Sequence, residues 1–336
     1  MIPILSIVLA AFVVLSTGSS VGAVSAGAKV VIAYPTMSSR TVPLWVAEEE
    51  GYFKKYGIRL ELVYVRSDSL LMSALASDDI QLVVTGGSAV LNAAAGGLDV
   101  KIMANFFSRA LVDLVARPGI KGVKDLRGKR IGVQSIGGTN WMYVMQALEQ
   151  LGLDPGKDRI QILVVGDVKV LIQSLETGTI DAMAASDRAY SLRLKQQGYP
   201  TLAELRLAVG GSGLIVKRTY LQQHPDLVES ILKAILEGLA FALAPTNKAL
   251  ILDTLTKRLR ISDPGIAELA YQDLLKGLDR KPYPSIEGLQ NLQRLIKLLN
   301  PRVGGLNLND LVDSSFIRKL DESGFIDRLH KSYGDK

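Results

Sequence analysis

Four short stretches concentrate side chains able to hold a small polar molecule: TMSSR at residues 36–40, TGGS at 85–88, SIGGTN at 135–140 and ASDR at 185–188. Each sets small or polar residues just after an apolar run, where a strand would end and a helix begin. At such a junction the first helical N–H groups lack partners and the helix dipole is positive, which suits carboxylate, sulfonate, phosphate or nitrate oxygens. Ser38, Ser88, Thr139 and Asn140 are the expected hydrogen-bond donors. Thr36, Ser39, Gly86, Gly87 and Gly138 complete the same ligand-binding loops, and Arg40 or Arg188 would supply charge. Asp187 can accept a ligand amine or cap the following helix. Ser88 and Thr139 can equally be N-caps with no ligand, and the glycines can serve only to permit tight turns. Trp141 and Phe106 are expected in the core rather than in a cleft.

Catalytic templates fit poorly. The two histidines, His224 and His330, fall late in the chain, and there is no cysteine for a nucleophile, a thiolate metal site or a disulfide. No H-E-x-x-H, G-x-S-x-G, P-loop or complete G-x-G-x-x-G occurs. Carboxylate acid–base chemistry stays open, but no enzyme activity, metal or cofactor is called for. The net charge is +6, yet lysines and arginines are dispersed rather than interleaved with aromatics, so no nucleic-acid partner is expected.

Three glutamates and two lysines cluster in PLWVAEEEGYFKKYGIRLELVYV, residues 43–65. At 100° per residue, Val42, Trp45, Val46, Tyr52, Phe53 and Tyr56 share one arc and only Glu49 intrudes, so the spacing predicts one amphipathic helix with its charges on the wet side. Gly57 stops it, and RLELVYV alternates as a strand.

Around this helix the pattern reads strand, helix, strand, helix, strand, which implies parallel strands with right-handed crossovers. The series recurs one hundred residues later: KVVIAYP at 29 against KRIGVQS at 129, RLELVYV at 59 against RIQILVV at 159, and ALASDDIQLVV at 74 against SLETGTIDAMA at 174. Two similar α/β lobes follow. DLVARP, 113–118, reads as the strand crossing to the second lobe, and VGGSGLIVKR, 209–218, as the return, together forming a hinge. Lobe 1 is expected at 29–115 plus 213–336, and lobe 2 at 116–212. The chain beyond residue 219 reads as helical and is expected to pack on lobe 1. Its longest helix, 226–243, carries Glu229, Lys233 and Glu237 as a wet stripe. At the N-terminus, an apolar run of 14 residues precedes small residues around Ala26, so residues 1–26 read as an export signal peptide, with an uncleaved anchor as the alternative because no Lys or Arg precedes the run.

The 43–65 stretch, with LASDDIQLVVTGGSAVLNAAAGGLDVKIMA, GIKGVKDLRGKRIGV, ALEQLGLDPGKDRIQILVVGD, SLETGTIDA, KPYPSIEGLQ and SGFIDRL, resembles the solute-binding proteins of ABC importers. The branch is that of nitrate, taurine and aliphatic sulfonates, similar also to thiamine-pyrimidine-precursor proteins. The resemblance spans nearly the whole mature chain. It implies a type II periplasmic binding-protein fold, two doubly wound lobes joined by two crossings. It further implies a small organic solute in the cleft, expected to be anionic, contacted by loops at Ser38, Gly87–Ser88, Thr139–Asn140 and Asp187. It also implies a monomer exported to the periplasm, with a membrane permease and ATPase as partners. The competing readings are an enzyme on the same fold acting on a pyrimidine or carboxylate, and the sensing module of a receptor.

Overall fold

The computed structural model describes residues 28–334 except 36, 66, 187, 209 and 211, so the expected signal peptide lies outside the described residues. Ten strands form two sheets: β1 (Ala28–Tyr34), β2 (Ile58–Tyr64), β3 (Leu82–Gly86), β4 (Val100–Asn105), β5 (Arg109–Ala116), β6 (Arg130–Val133), β7 (Gln161–Val164), β8 (Ala182–Ala185), β9 (Thr201–Ala208) and β10 (Ser212–Lys217). The first sheet runs β2-β1-β3-β10-β4 and the second β7-β6-β8-β5-β9. The two orders are the same, and in each the fourth position is filled by an antiparallel strand entered from the other lobe. Register repeats as well: Ile32 pairs with Leu82 in the first sheet, Ile131 with Ala182 in the second. The hundred-residue offset in sequence is therefore a duplicated lobe in space.

Helices connect the strands: α1 (Val42–Glu49), α2 (Tyr52–Lys55), α3 (Asp68–Ala76) and α4 (Gly87–Ala95) in the first lobe, and α5 (Thr139–Gln150), α6 (Val168–Thr177) and α7 (Arg188–Gln196) in the second. The C-terminal part adds α8 (Arg218–Gln223), α9 (Pro225–Leu243), α10 (Lys248–Leu259), α11 (Pro264–Gly277), α12 (Ile286–Ile296), α13 (Ser315–Glu322) and α14 (Phe325–Ser332). No helix among the described residues is long and apolar enough to cross a membrane.

Four features differ from expectation. The whole of Arg109–Ala116 pairs inside the second sheet, so the first crossing lies at residues 106–108, ahead of 113–118. The amphipathic stretch at 42–56 is two helices, because Gly51 takes φ 73° between them, a conformation glycine adopts without steric cost. Glu50 and Lys54 face solvent as expected, but three of its charges also reach the C-terminal helices: Glu48 and Glu49 both hold Arg258, and Lys55 Nζ lies 2.6 Å from Glu237 Oε1. Nor is Glu237 wet. It is 3% exposed and also accepts from the hydroxyls of Tyr56 and Tyr333 at 2.9 and 2.8 Å. Amphipathic periodicity identifies a polar stripe, and here the chain's own C-terminus covers it.

Fourth, the helical C-terminal part does not pack on lobe 1 alone. Helix α9 lies against α1, where Gly238 brings the backbones so close that a Cβ would meet the Pro43 carbonyl at 2.3 Å. Helix α12, however, places Leu289, Leu292, Leu295 and Ile296 in one apolar core with Val83 and Val90 of the first lobe and Val112, Trp141 and Val144 of the second. The segment around it grips both crossings. The Asp279 carboxylate accepts the N–H and hydroxyl of Ser108, the Asp279 N–H reaches the Phe106 carbonyl at 2.9 Å, and Asn291 Nδ2 reaches Ala208 O at 3.4 Å. Burial raises the Asp279 carboxyl's pKa, and the Ser108 bonds and the Arg109 charge oppose that.

Candidate ligand-binding cleft

Strand ends of both sheets open onto one cavity of about 380 Å³ between the lobes. From the first lobe come Ser38, Arg40, Gly86, Gly87 and Ser88, and from the second Gly138, Thr139 and Asn140. Eight of the twelve sequence-predicted site residues thus share one hollow. Ser39 lies beside it without joining the lining. Thr36 and Asp187 lie outside the described residues, as does the side chain of Arg188, whose backbone opens α7.

The two central helix starts explain why this hollow is polar. Gly86 and Gly138 occupy the N-cap positions of α4 and α5 in extended conformation, and no side chain caps either helix. The neighbouring helices α3 and α6 are instead capped by Ser67 and Asp167. Ser88 and Thr139 are therefore not N-caps, and their hydroxyls are available to the cleft, 3.5 Å apart across it. First-turn N–H groups have no carbonyl four residues back, so both helices present positive ends and donors from opposite lobes. Gly87 is held tightly: its N–H donates to the Gly210 carbonyl at 3.0 Å, and an added Cβ would come within 2.8 Å of that carbonyl and 2.9 Å of Leu292 Cδ1. The second crossing, α4 and α12 meet at this point.

Arg40 spans the cleft. Its Nη1 donates to the Tyr143 hydroxyl at 2.7 Å and its Nη2 to the Ser186 carbonyl at 3.4 Å, both in the second lobe, with the guanidinium carbon 5.6 Å from the Tyr143 ring centre. Asn140 is buried and donates Nδ2 to the Ala184 carbonyl at 2.8 Å, while its Oδ1 has no hydrogen-bond partner among the described residues. Trp141 and Phe106 are buried in the core, as their types suggest.

Several lining residues carry no sequence signal strong enough to have been singled out: Tyr34, Asp68, Arg109, Tyr143 and Leu292. Asp68 follows a capping serine and reads as an ordinary first-turn acid. In space its Oδ1 accepts the hydroxyl of buried Thr85 at 2.9 Å. Burial raises its pKa, opposed by the Thr85 bond. Tyr143 lies one turn into α5, so only its spacing from Thr139 hints at the same face. Among the described residues no group of histidine and carboxylate side chains could hold a metal ion.

A family model described as NMT1/THI5 like matches residues 38–249, which includes most of the cleft lining but not Tyr34, Pro35, Met37 or Leu292. The riboflavin-binding protein RibY of Chloroflexus aurantiacus is 25% identical over 214 residues, covering 62% of this chain and 60% of that protein's length. A Bacillus subtilis protein provisionally named as aliphatic sulfonates-binding is 24% identical over 321 residues, covering 88% of this chain and 87% of its own. Among solved structures, the periplasmic aliphatic sulphonate binding protein SsuA from Escherichia coli superposes with a TM-score of 0.64 at 21% identity, over 87% of this chain and 96% of that one.

Proposed function

Because the chain belongs to the NMT1/THI5-like family, we propose that it is the solute-binding component of an ABC importer. It captures a small organic solute between its lobes and hands it to a membrane permease driven by an ATPase subunit. The observation that carries this reading is the single cavity of about 380 Å³ into which both lobes send an uncapped helix start. A solute bridging Ser88 and Thr139 touches both lobes at once only when they are closed, so binding shifts the population toward closure. Relatives named for riboflavin and for aliphatic sulfonates support a small organic cargo and leave its charge to this chain's own residues. The protein acts outside the cytoplasmic membrane, as a monomer and without chemistry on its cargo.

Native mass spectrometry of gently purified protein, with identification of what co-purifies, tests this reading. The released compound should rebind to the wild type, be recovered unchanged, and compact the protein in solution scattering. Ser88→Ala and Thr139→Val should each weaken it about tenfold, as loss of one hydrogen bond to a charged group predicts. Full affinity in both variants would remove the cleft from consideration.

A further inference from the structure

Donors dominate the cavity wall: the hydroxyls of Ser88 and Thr139, two helix starts, Arg40 and Arg109. Against them stand two acceptors that the protein leaves short of donors. One is Asn140 Oδ1, in a side chain 8% exposed, whose orientation is fixed because Nδ2 must face the Ala184 carbonyl. The other is the Asp68 carboxylate, whose Oδ1 takes the Thr85 hydroxyl while Oδ2 has no hydrogen-bond partner among the described residues. Asp68 also makes no ion pair with any described cation.

We infer that Asp68 is a selectivity residue: the cleft takes a solute that carries an amine N–H donor, received by Asp68, and discriminates against simple anions. This rests on the cleft reading above and narrows it. An ionised carboxylate placed in a partly desolvated wall without a counter-charge is unfavourable, and an ammonium or amine N–H supplied by the ligand relieves that cost. A purely anionic solute does the opposite, since it brings like charge toward Asp68 and leaves its second oxygen unpaired. The acid group of a bipolar solute would sit at the helix starts, and its amine would point toward Thr85, next to Gly86 at the start of α4.

Matched probe pairs differing only in the amine test this directly: 2-aminoethanesulfonate with ethanesulfonate, 3-aminopropanoate with propanoate, and 4-aminobenzoate with benzoate, measured by calorimetry on wild type, Asp68→Asn and Asp68→Glu. The wild type should prefer the amine-bearing member of a bound pair by about tenfold or more. Asp68→Asn should bring that ratio close to one, and Asp68→Glu should restore part of it, a pattern that a merely structural role would not produce. An unfolding midpoint for each variant identifies loss of fold. Wild-type binding of amine-free members as tightly as their partners, or a ratio unchanged in Asp68→Asn, overturns the role of Asp68 and leaves the cleft reading standing. Saturable binding of no probe by the wild type, together with no co-purified solute, removes both.

Discussion

Replacing Arg40 with alanine should weaken solute binding by loosening the closed lobes rather than by removing a ligand contact. In the structure the guanidinium is already engaged: Nη1 donates to Tyr143 at 2.7 Å and Nη2 to the Ser186 carbonyl at a marginal 3.4 Å. A hydrogen bond with one charged partner contributes about 1.5 to 3 kcal/mol, and partial exposure places this one near the lower end. The 5.6 Å separation from the ring centre is close to the outer limit for a cation–π contact, so that adds little. A loss of about 1.5 kcal/mol from the closed state corresponds to about tenfold in affinity when the free protein is mostly open, and to less when it is already closed. Calorimetry with the co-purified solute gives the affinity, stopped-flow should place the change in dissociation, and scattering of the free protein should show a larger radius. Tyr143→Phe removes the same bond, so the double variant should cost scarcely more than either single one, a coupling of about 1 kcal/mol. Two fully additive losses, or abolished binding in Arg40→Ala beside an unaffected Tyr143→Phe, would show that Arg40 clamps the solute itself and would refute the tie between lobes.

Glu237→Gln removes a buried carboxylate from Lys55, Tyr56 and Tyr333; Lys55 stays largely solvated, so the loss is that of charge-assisted hydrogen bonds and should cost about 2 to 4 kcal/mol in urea unfolding. Tyr333→Phe deletes one donor to it and should cost nearer 1 to 2 kcal/mol, about half the effect at most. Gly87→Ala should destabilise by about 1 to 3 kcal/mol through overpacking against the Gly210 carbonyl and Leu292, and should weaken binding because the start of α4 is displaced. Asp181 is held below its ordinary 3.8, chiefly by hydrogen bonding to Arg130, with burial opposing. Its folded-state pKa is depressed, so its contribution is complete above 3.8 and is lost as pH falls through that value toward the folded pKa. The unfolding midpoints of wild type and Asp181→Asn should therefore differ at neutral pH and converge in acid, and a constant gap would exclude the linkage.

The duplicated lobe was readable because its information is local. Apolar strands, helix periods and junction glycines recur at matching intervals, and each sheet's parallel core follows from them. The hydroxyls of Ser88 and Thr139 were readable for the same reason, since a strand end fixes which loop faces the cleft. Long-range partners were not. Glu237 shows the usual spacing of a solvated stripe, and nothing within α9 reveals that Tyr333, 96 residues on, will cover it. DLVARP, 113–118, reads as a strand whichever sheet receives it, and only the pairing of Arg109–Ala116 with β9 and β8 decides that the strand belongs wholly to the second.

The same blindness hides how the hinge is built, and the consequence bears on function. Had the C-terminal helices packed on the first lobe alone, the crossings at 106–108 and 209–211 would be two bare strands and closure would be opposed by little beyond their torsions. Instead Asp279 fastens the first crossing at Ser108, and α12 covers the second at Gly210 while sharing a core with both lobes. Opening is therefore expected to slide the face of α12 that carries Leu289 and Leu292 over Gly87 and Gly210, where the absence of side chains leaves backbone that such a face can shear across. The proposed donors at the start of α4 and the surface expected to set the cost of opening meet at Gly87. Affinity in this protein is thus expected to respond to Leu292, which sits on the cleft wall yet contributes no polar group, as strongly as to a hydroxyl that touches the cargo.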